Sequence, residues 1–205
     1  MNKTSATQPD SKPLADRNAI RRFHLSIPSA VILVVGLAAL AGVAIAAQDK
    51  YTVRVPGGLA FSEFRGYEEW QAISLSRSEK VVAVILGNPA MIDAYRVGIP
   101  ANGKPVPDGA KMAKIHWAPK PNQFFPDATV PGNLVNVDFM VKDSKRFSDS
   151  GGWGYAVFDY DAASNTFKPG TTAGTPPQGN DAKCGFACHT AAKSRDYVFT
   201  EYGKR

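Results

Sequence analysis

Three residues near the C-terminus have the types and order needed to attach an organic cofactor covalently. Cys184 and Cys188 lie four positions apart, and His189 directly follows the second cysteine. Thiols at this spacing lie on one helical turn, so both can add to vinyl groups of the same porphyrin. The adjacent imidazole can then supply an axial nitrogen to the iron. We interpret this order as the Cys-x-x-Cys-His motif of c-type haem proteins, although three residues rather than two separate the thiols here.

A redox-active dithiol and half of a zinc site are the alternative interpretations of the cysteine pair. A zinc site needs two further ligands, and the sequence has no second cysteine pair and no histidine pair. A thioredoxin-type dithiol is expected near the start of a βαβ unit, whereas this pair lies near the C-terminus. The prediction is therefore one haem c, attached through Cys184 and Cys188, with His189 as the iron ligand.

The charge of the chain does not indicate a nucleic-acid partner. The 205 residues carry a formal net charge of +6. Residues 47–205 contain 19 basic and 16 acidic side chains, so they account for only +3 of that charge. Two haem propionates lower the value further, and no basic cluster is interleaved with aromatic residues. We therefore expect no nucleic-acid binding.

The N-terminal segment is typical of proteins that are exported across a membrane. Arg21 and Arg22 precede an apolar run from Leu25 to Ala47, as in a signal peptide. Small residues favour cleavage after Ala46, but the run is also nearly long enough to remain as a membrane anchor. Residues 1–46 are predicted as a signal peptide or anchor, and residues 47–205 as a haem domain in the periplasm.

The remaining chain is predicted to be rich in β-structure, with several short helices. Alternating or continuous apolar runs predict strands over 81–86, 110–117, 134–141 and 153–160. Aromatic spacing and capping residues predict helices over 60–73, after Asn88–Pro89, and over 143–147. Loops are predicted over 119–133 and 161–181.

Two of these strands have side chains that separate into an apolar face and a mixed face. The apolar face carries Ala113, Ile115, Trp117, Val135, Val137, Phe139 and Val141. The mixed face carries Met112, Lys114, His116, Asn136, Asp138 and Met140. Successive side chains of a strand point to opposite sides of the sheet. One face can therefore form the core while the other meets the cofactor.

Several stretches, taken in order, resemble the cytochrome P-460 family over about residues 57–202. They are Tyr67–Trp70, Asn88–Pro89, Asp108–Gly109 followed by Lys114, Val141–Phe147, Gly152–Gly154, the cysteine motif, and Asp196–Thr200. The resemblance implies an α+β fold similar to that of cytochrome c′-beta. In that fold an antiparallel sheet of about five strands has flanking short helices, carries one haem, and usually forms a homodimer.

The resemblance also implies roles for particular residues. The name-giving members of the family oxidise hydroxylamine with a haem that is cross-linked to a lysine, which matches Lys114. Burial beside an apolar porphyrin favours the neutral, nucleophilic form of a lysine. The family's pocket acid matches Asp138, which is shorter than the usual glutamate. An arginine of the hydroxylamine oxidisers aligns with Ala83, so this chain departs from the family there.

The sequence is consistent with three functional hypotheses. The main hypothesis is a periplasmic oxidoreductase in which Asp138 accepts protons from hydroxylamine or a related small nitrogen compound, and electrons pass to a redox partner protein. The second is a non-catalytic nitric-oxide-binding or sensing protein like cytochrome c′-beta, favoured by the missing arginine and by apolar residues such as Phe139. The third is simple electron transfer, which needs a second axial ligand. Candidates for that ligand are His116, Met91, Met112 and Met140.

Overall fold

The computed structural model of the protein describes residues 47–55, 58–170 and 185–205. The predicted leader at 1–46, Cys184 and residues 171–181 of the predicted loop lie outside the described residues. Within the described ranges, no helix is both long and apolar enough to span a membrane.

An antiparallel sheet of six strands, in which each strand pairs with the next along the chain, forms the centre of the fold. The strands are β1 (Gln71–Arg77), β2 (Val82–Gly87), β3 (Lys111–Pro121), β4 (Thr129–Lys142), β5 (Trp153–Asp161) and β6 (Thr166–Pro169). The predicted α+β class is confirmed. The sixth strand lies within the segment 161–181, which was predicted as a loop. It was not predicted because four residues are too few to show a clear alternation.

Helical structure is short and lies at the margins of the sheet. Helix α1 (Pro89–Arg96) begins where predicted, with the Asn88 side chain accepting a hydrogen bond from the Met91 amide at 3.1 Å. Pro89 at the first position needs no amide partner. Near the C-terminus, residues 185–189 are helical and continue into the 3₁₀ segment Thr190–Arg195.

The helix predicted over 60–73 is wrong. The chain forms two 3₁₀ turns, Phe61–Phe64 and Tyr67–Glu69, separated by Gly66 with φ of 80°. β1 then begins at Gln71 and pairs with β2. The aromatic spacing correctly predicted buried residues, since three of the four aromatic residues are buried. It did not predict the conformation, because residues from Gln71 onward pair with β2 as a strand and do not continue a helix.

One further predicted helix and one predicted loop also differ from the structure. The helix predicted over 143–147 is a turn, in which the Asp143 carboxylate accepts hydrogen bonds from the Lys145 and Arg146 amides. The loop predicted over 119–133 is shorter, because β3 and β4 pair as far as Pro121 and Thr129. At 143–147 the capping contacts are present, but the chain does not continue into a helix.

The two faces of the sheet pack against different parts of the chain. On one face, Phe139 stacks on Phe64 with ring centroids 4.0 Å apart, and Phe61 lies 5.3 Å from Phe139. This first core also contains Ala113, Val137, Val141, Ala156 and Phe158. The opposite face contributes Ile85, Met112, Trp153 and Tyr155 to a second cluster, packed against α1 and the C-terminal residues. The predicted division of β3 and β4 is confirmed for Ala113, Val137, Phe139 and Val141, but it is wrong for Val135, which is 39% exposed. Register shifts at Trp117 pair this residue with Leu134, which packs against the first core instead.

Candidate haem site

A cavity of about 320 Å³ lies between the second face of the sheet and the C-terminal segment. The sheet contributes Ile85, Met112, Ala113, Lys114, Asp138, Phe139, Met140, Tyr155, Ala156 and Val157. The C-terminal segment contributes Gly185, Cys188, His189, Val198, Phe199 and Thr200. Four of the five predicted site residues therefore line one cavity, and the fifth, Cys184, lies outside the described residues.

Lys114 and Asp138 are direct partners across β3 and β4. Directly opposed residues of an antiparallel pair have Cβ atoms about 4.5–5.5 Å apart and point to the same face. The row continues outward to Ile85 on β2 and Val157 on β5, which are apolar. The two polar groups therefore stand side by side in an otherwise apolar row of the cavity wall.

His116 lies one row further along the same face, behind Asp138. Its Nδ1 lies 2.6 Å from Asn136 Oδ1 and 3.6 Å from Asp138 Oδ2. Because an amide oxygen only accepts, Nδ1 carries the hydrogen in this contact. Burial, together with the positive charge of Lys114, lowers the pKa of His116, while the Asn136 contact opposes the shift. The imidazole is therefore neutral near pH 7.

The row that contains His116 also contains Ala83, its direct partner on β2. Ala83 is the position at which the resemblance implied an arginine, and it is fully buried. A methyl group here leaves His116 and Asn136 as the polar side chains of this row, next to Asp138. The row beside the cavity therefore carries imidazole and amide groups without a guanidinium at position 83.

His189 is held by a main-chain contact that defines its chemical form. Its Nδ1 lies 2.6 Å from the carbonyl oxygen of Tyr197, which can only accept, so Nδ1 carries the hydrogen. Burial and the positive charge of Lys114 lower the pKa of His189, whereas the Tyr197 contact raises it. The neutral ring then has its Nε2 lone pair available to a metal, as an axial ligand requires.

Ring contacts fix the plane of the His189 imidazole. The ring centroid lies 5.2 Å from that of Tyr155 and 4.9 Å from that of Phe199. Both aromatic residues also line the cavity. A side chain packed on two sides and hydrogen-bonded through Nδ1 has few remaining orientations, so the direction of Nε2 is set before any ligand binds.

The helical residues 185–189 approach the sheet closely. A Cβ atom added to Gly185 would lie 2.9 Å from Tyr155 side-chain atoms, so only glycine fits without a shift of the neighbour. Cys188 is exposed and lines the cavity mouth.

The residues of the cavity fit a haem. The walls are mainly apolar, one imidazole offers Nε2, and a cysteine thiol lies on the wall beside it. Among the described residues there is no cluster of three or more His, Cys, Asp or Glu side chains that could hold a metal ion. A large apolar macrocycle with one axial ligand matches this donor set.

The candidates for a second axial ligand differ in position. Met112 and Met140 line the cavity and are cross-strand partners. Met91 is fully buried in α1, and among the described residues neither it nor His116 belongs to the cavity wall. The hydrogen bond of His116 to Asn136 further constrains its ring. The two methionines are therefore the better placed of the four.

The sheet architecture and the His/Cys-lined apolar cavity define a β-sheet haem protein. The family model for cytochrome P460 matches residues 64–200 of the chain, well over half of its length. The chain therefore belongs to the cytochrome P460 family and is a haem cytochrome. A search of the curated proteins finds no match.

Sequence reasoning missed the residues that support the site from behind. The Tyr197 carbonyl contacts His189, and Lys142 contacts Asp196, the residue before Tyr197, but none was singled out for a role. Lys142 and Asp196 are separated by 54 positions. The sequence signals were that Lys142 directly follows a predicted apolar strand, and that these residues lie in two of the stretches that resemble the family.

Proposed function

We propose that this protein is a periplasmic c-type haem oxidoreductase that oxidises hydroxylamine and passes the electrons to an external acceptor. One observation carries the proposal: Lys114 and Asp138 lie side by side in an apolar cavity that also contains His189. An acid in such a place can accept substrate protons, and a lysine beside it can hold a cofactor edge. The export signal of the sequence supports the periplasmic location.

The residues proposed to hold the haem are Cys184, Cys188 and His189. The cysteines would attach it covalently, and Nε2 of His189 would bind the iron. The haem supplies an iron centre that binds a small nitrogen compound and accepts electrons from it. The cavity walls are mainly apolar, which strengthens the polar interactions made against them.

Asp138 is proposed as the proton acceptor. Oxidation of hydroxylamine releases protons and electrons in equal number, so a base within hydrogen-bond reach is needed. The carboxylate is about 38% exposed and lies 3.6 Å from His116 Nδ1. Neutral His116 turns Nδ1, which carries a hydrogen, toward the acid, and Asn136 holds the imidazole in place.

Lys114 is proposed as a second covalent anchor of the haem. Bond formation replaces a porphyrin C–H and a lysine N–H by one C–N bond. It therefore releases two protons and two electrons and requires an oxidant of the peroxide class. The lysine is half-buried on the cavity wall, and its amine must be in the neutral form when that bond forms.

The test is the reduction of an artificial electron acceptor by hydroxylamine with purified holoprotein. The proposal expects sustained reduction above the rate of an equal concentration of free haem. The Asp138→Asn variant, which keeps the size of the side chain, is expected to lose most of this rate while retaining haem. A rate equal to that of free haem for the unmodified protein would overturn the proposal.

A second candidate function is nitric-oxide binding without turnover. It is favoured by Ala83, which replaces the implied arginine, and by the methionine pair Met112 and Met140 on the cavity wall. Apolar groups near an iron site favour uncharged diatomic ligands over polar substrates. This candidate expects tight nitric-oxide binding, no acceptor reduction with hydroxylamine, and an unmodified Lys114. A homodimer and a redox partner protein remain part of the main proposal.

A further inference from the structure

A buried ion pair lies behind His189, outside the cavity. The side chain of Lys142, at the end of β4, is 4% exposed, and that of Asp196 is 13% exposed. Nζ of Lys142 lies 2.9 Å from both carboxylate oxygens of Asp196 and 2.9 Å from the carbonyl oxygen of Gly151. An ammonium group has three donors, so the three acceptors account for all of them.

Asp196 is fixed by two further contacts. Its Oδ2 accepts a hydrogen bond from the Val106 amide at 2.8 Å, and its main-chain oxygen accepts one from Trp153 Nε1 at 2.8 Å. Trp153 is fully buried and is the direct partner of Lys142 across β4 and β5. The Lys142 ammonium also lies 5.2 Å from the centre of the Trp153 ring system. The side chain and the main chain of Asp196 are thus both held by the sheet.

The backbone at this point is in an unfavourable conformation. Asp196 has φ of 49° and Tyr197 has φ of 64°, and neither is a glycine. Consecutive left-handed residues persist only where surrounding contacts determine them. The Tyr197 ring also lies against Gly151, where an added Cβ would be 2.2 Å away. The contacts of Lys142, Trp153 and Gly151 therefore hold a turn that the chain would not otherwise adopt.

This turn presents the carbonyl group that binds His189. The Tyr197 oxygen lies 2.6 Å from His189 Nδ1. The position of that oxygen depends on the dihedral angles of Asp196 and Tyr197, because it lies directly after them in the chain. A displacement of Asp196 would therefore lengthen or misalign the hydrogen bond to the imidazole.

We propose that Lys142 and Asp196, with Trp153, act as positioning residues for His189. They hold the left-handed turn so that the Tyr197 carbonyl accepts the Nδ1 hydrogen, which fixes the ring and strengthens it as an electron donor to the iron. This inference rests on the proposed role of His189 as the axial ligand. It does not depend on whether hydroxylamine is the substrate.

The chemistry of the contact sets the direction of the effect. A hydrogen bond from Nδ1 to a carbonyl gives the imidazole more anionic character and raises its basicity at Nε2. A stronger donor stabilises ferric iron relative to ferrous iron and strengthens the iron–nitrogen bond. Loss of the bond is therefore expected to raise the reduction potential and to lower the iron–histidine stretching frequency.

A purely structural role is the competing explanation. A buried ion pair is weak grounds for stability, because the cost of removing both charges from water offsets their attraction. A pair that only stabilised the fold would change unfolding when removed but leave the iron–histidine bond unchanged. The two explanations therefore differ in a spectroscopic readout.

The experiment compares three variants of the full-length holoprotein by resonance Raman spectroscopy of the ferrous form and by redox titration. Lys142→Met removes the charge and keeps a long apolar stem. Asp196→Asn keeps the shape and the main-chain contacts. Trp153→Phe removes the donor to the Asp196 oxygen and part of a buried ring but keeps both charges, so it remains decisive if the charge variants do not accumulate.

All three variants are expected to lower the iron–histidine frequency and raise the potential, with the smallest shift for Trp153→Phe. The control Val137→Ala weakens the same strand through its opposite face and is expected to shift neither readout. Unchanged frequency and potential in the three variants would overturn the inference. If His189→Gly keeps the wild-type band, the axial role of His189 fails instead, and the two failures are distinguishable.

Discussion

Lys114 and Asp138 are direct cross-strand partners on β3 and β4, and both face the cavity that contains His189. Their strands are the longest of the sheet, and they pair over most of their length. The positions of the two side chains relative to each other are therefore set by the sheet and not by a loop. Groups carried on strands are held more closely than groups on loops, as a reactive site requires.

Replacement of Asp138 tests the role of the carboxylate. Asp138→Asn is expected to lower hydroxylamine-dependent acceptor reduction by about 10²–10⁴-fold, the usual contribution of a positioned base. Haem content and the resting spectrum should not change. Asp138→Glu, which restores a carboxylate on a longer stem, should recover much of the rate. Equal rates for the Asn variant and the unmodified protein would remove Asp138 from the reaction.

His116 is expected to make the stability of the holoprotein depend on pH. Its pKa in the folded state lies below the ordinary value of about 6.5, mainly because it is buried. As pH falls below about 6.5, the imidazole becomes protonated in the unfolded chain while it is still neutral in the folded protein. The free energy of unfolding therefore decreases until the pH reaches the pKa of His116 in the folded state. Above pH 7 the imidazole is neutral in both states, and this contribution is absent.

The measurement is denaturant unfolding of wild type and His116→Gln at several pH values between 7.5 and 5, a range of about 2.5 pH units around that ordinary pKa. As pH falls, the free energy of unfolding of the wild type is expected to decrease relative to that of His116→Gln. An iron-bound His189 does not titrate and so contributes to neither curve. A pH-independent difference would show that His116 is not buried in its neutral form.

Gly185 tests how closely the motif helix approaches the sheet. Gly185→Ala would put a methyl group 2.9 Å from the Tyr155 side chain, so Tyr155 or the helix must move. Overpacking of this kind costs about 1–3 kcal/mol. Thermal unfolding should show a lower midpoint for the variant. Ala187→Ser, at an exposed position of the same helix, is the control and should have little effect.

Much of the site followed from strand periodicity. Alternation placed Lys114 and Asp138 on one face of the sheet before any pairing was known, because side chains of a strand alternate with a period of two. The cap at Asn88 and Pro89 was also local and was found. Site and capping residues could therefore be predicted where the pattern involves only residues that are close in sequence.

The rest depended on contacts that are distant in sequence. The direct pairing of Lys114 with Asp138 follows from the register of a long hairpin, which strand patterns alone do not determine. The contact of Lys142 with Asp196 joins positions 54 apart. The helix predicted over 60–73 failed because pairing of β1 with β2 outweighed local aromatic spacing.

The cysteine motif shows both the strength and the limit of pattern matching. Three residues separate Cys184 from Cys188, one more than in Cys-x-x-Cys-His. The prediction of c-type haem attachment therefore rests on the order of the two cysteines and the histidine, and not on their strict spacing. The family match covers residues 64–200 and so includes the segment, which supports a haem there independently of the spacing.

The most direct test of the central claim is the mass of haem-bearing peptides from denatured, protease-digested holoprotein. If Lys114 is a second covalent anchor, one haem joins the peptide containing Cys184 and Cys188 to the peptide containing Lys114, and cleavage after Lys114 is blocked. Lys114→Arg should release the second peptide and leave the first bound. A haem found only on the cysteine peptide, with Lys114 unmodified and cleaved normally, would contradict the account.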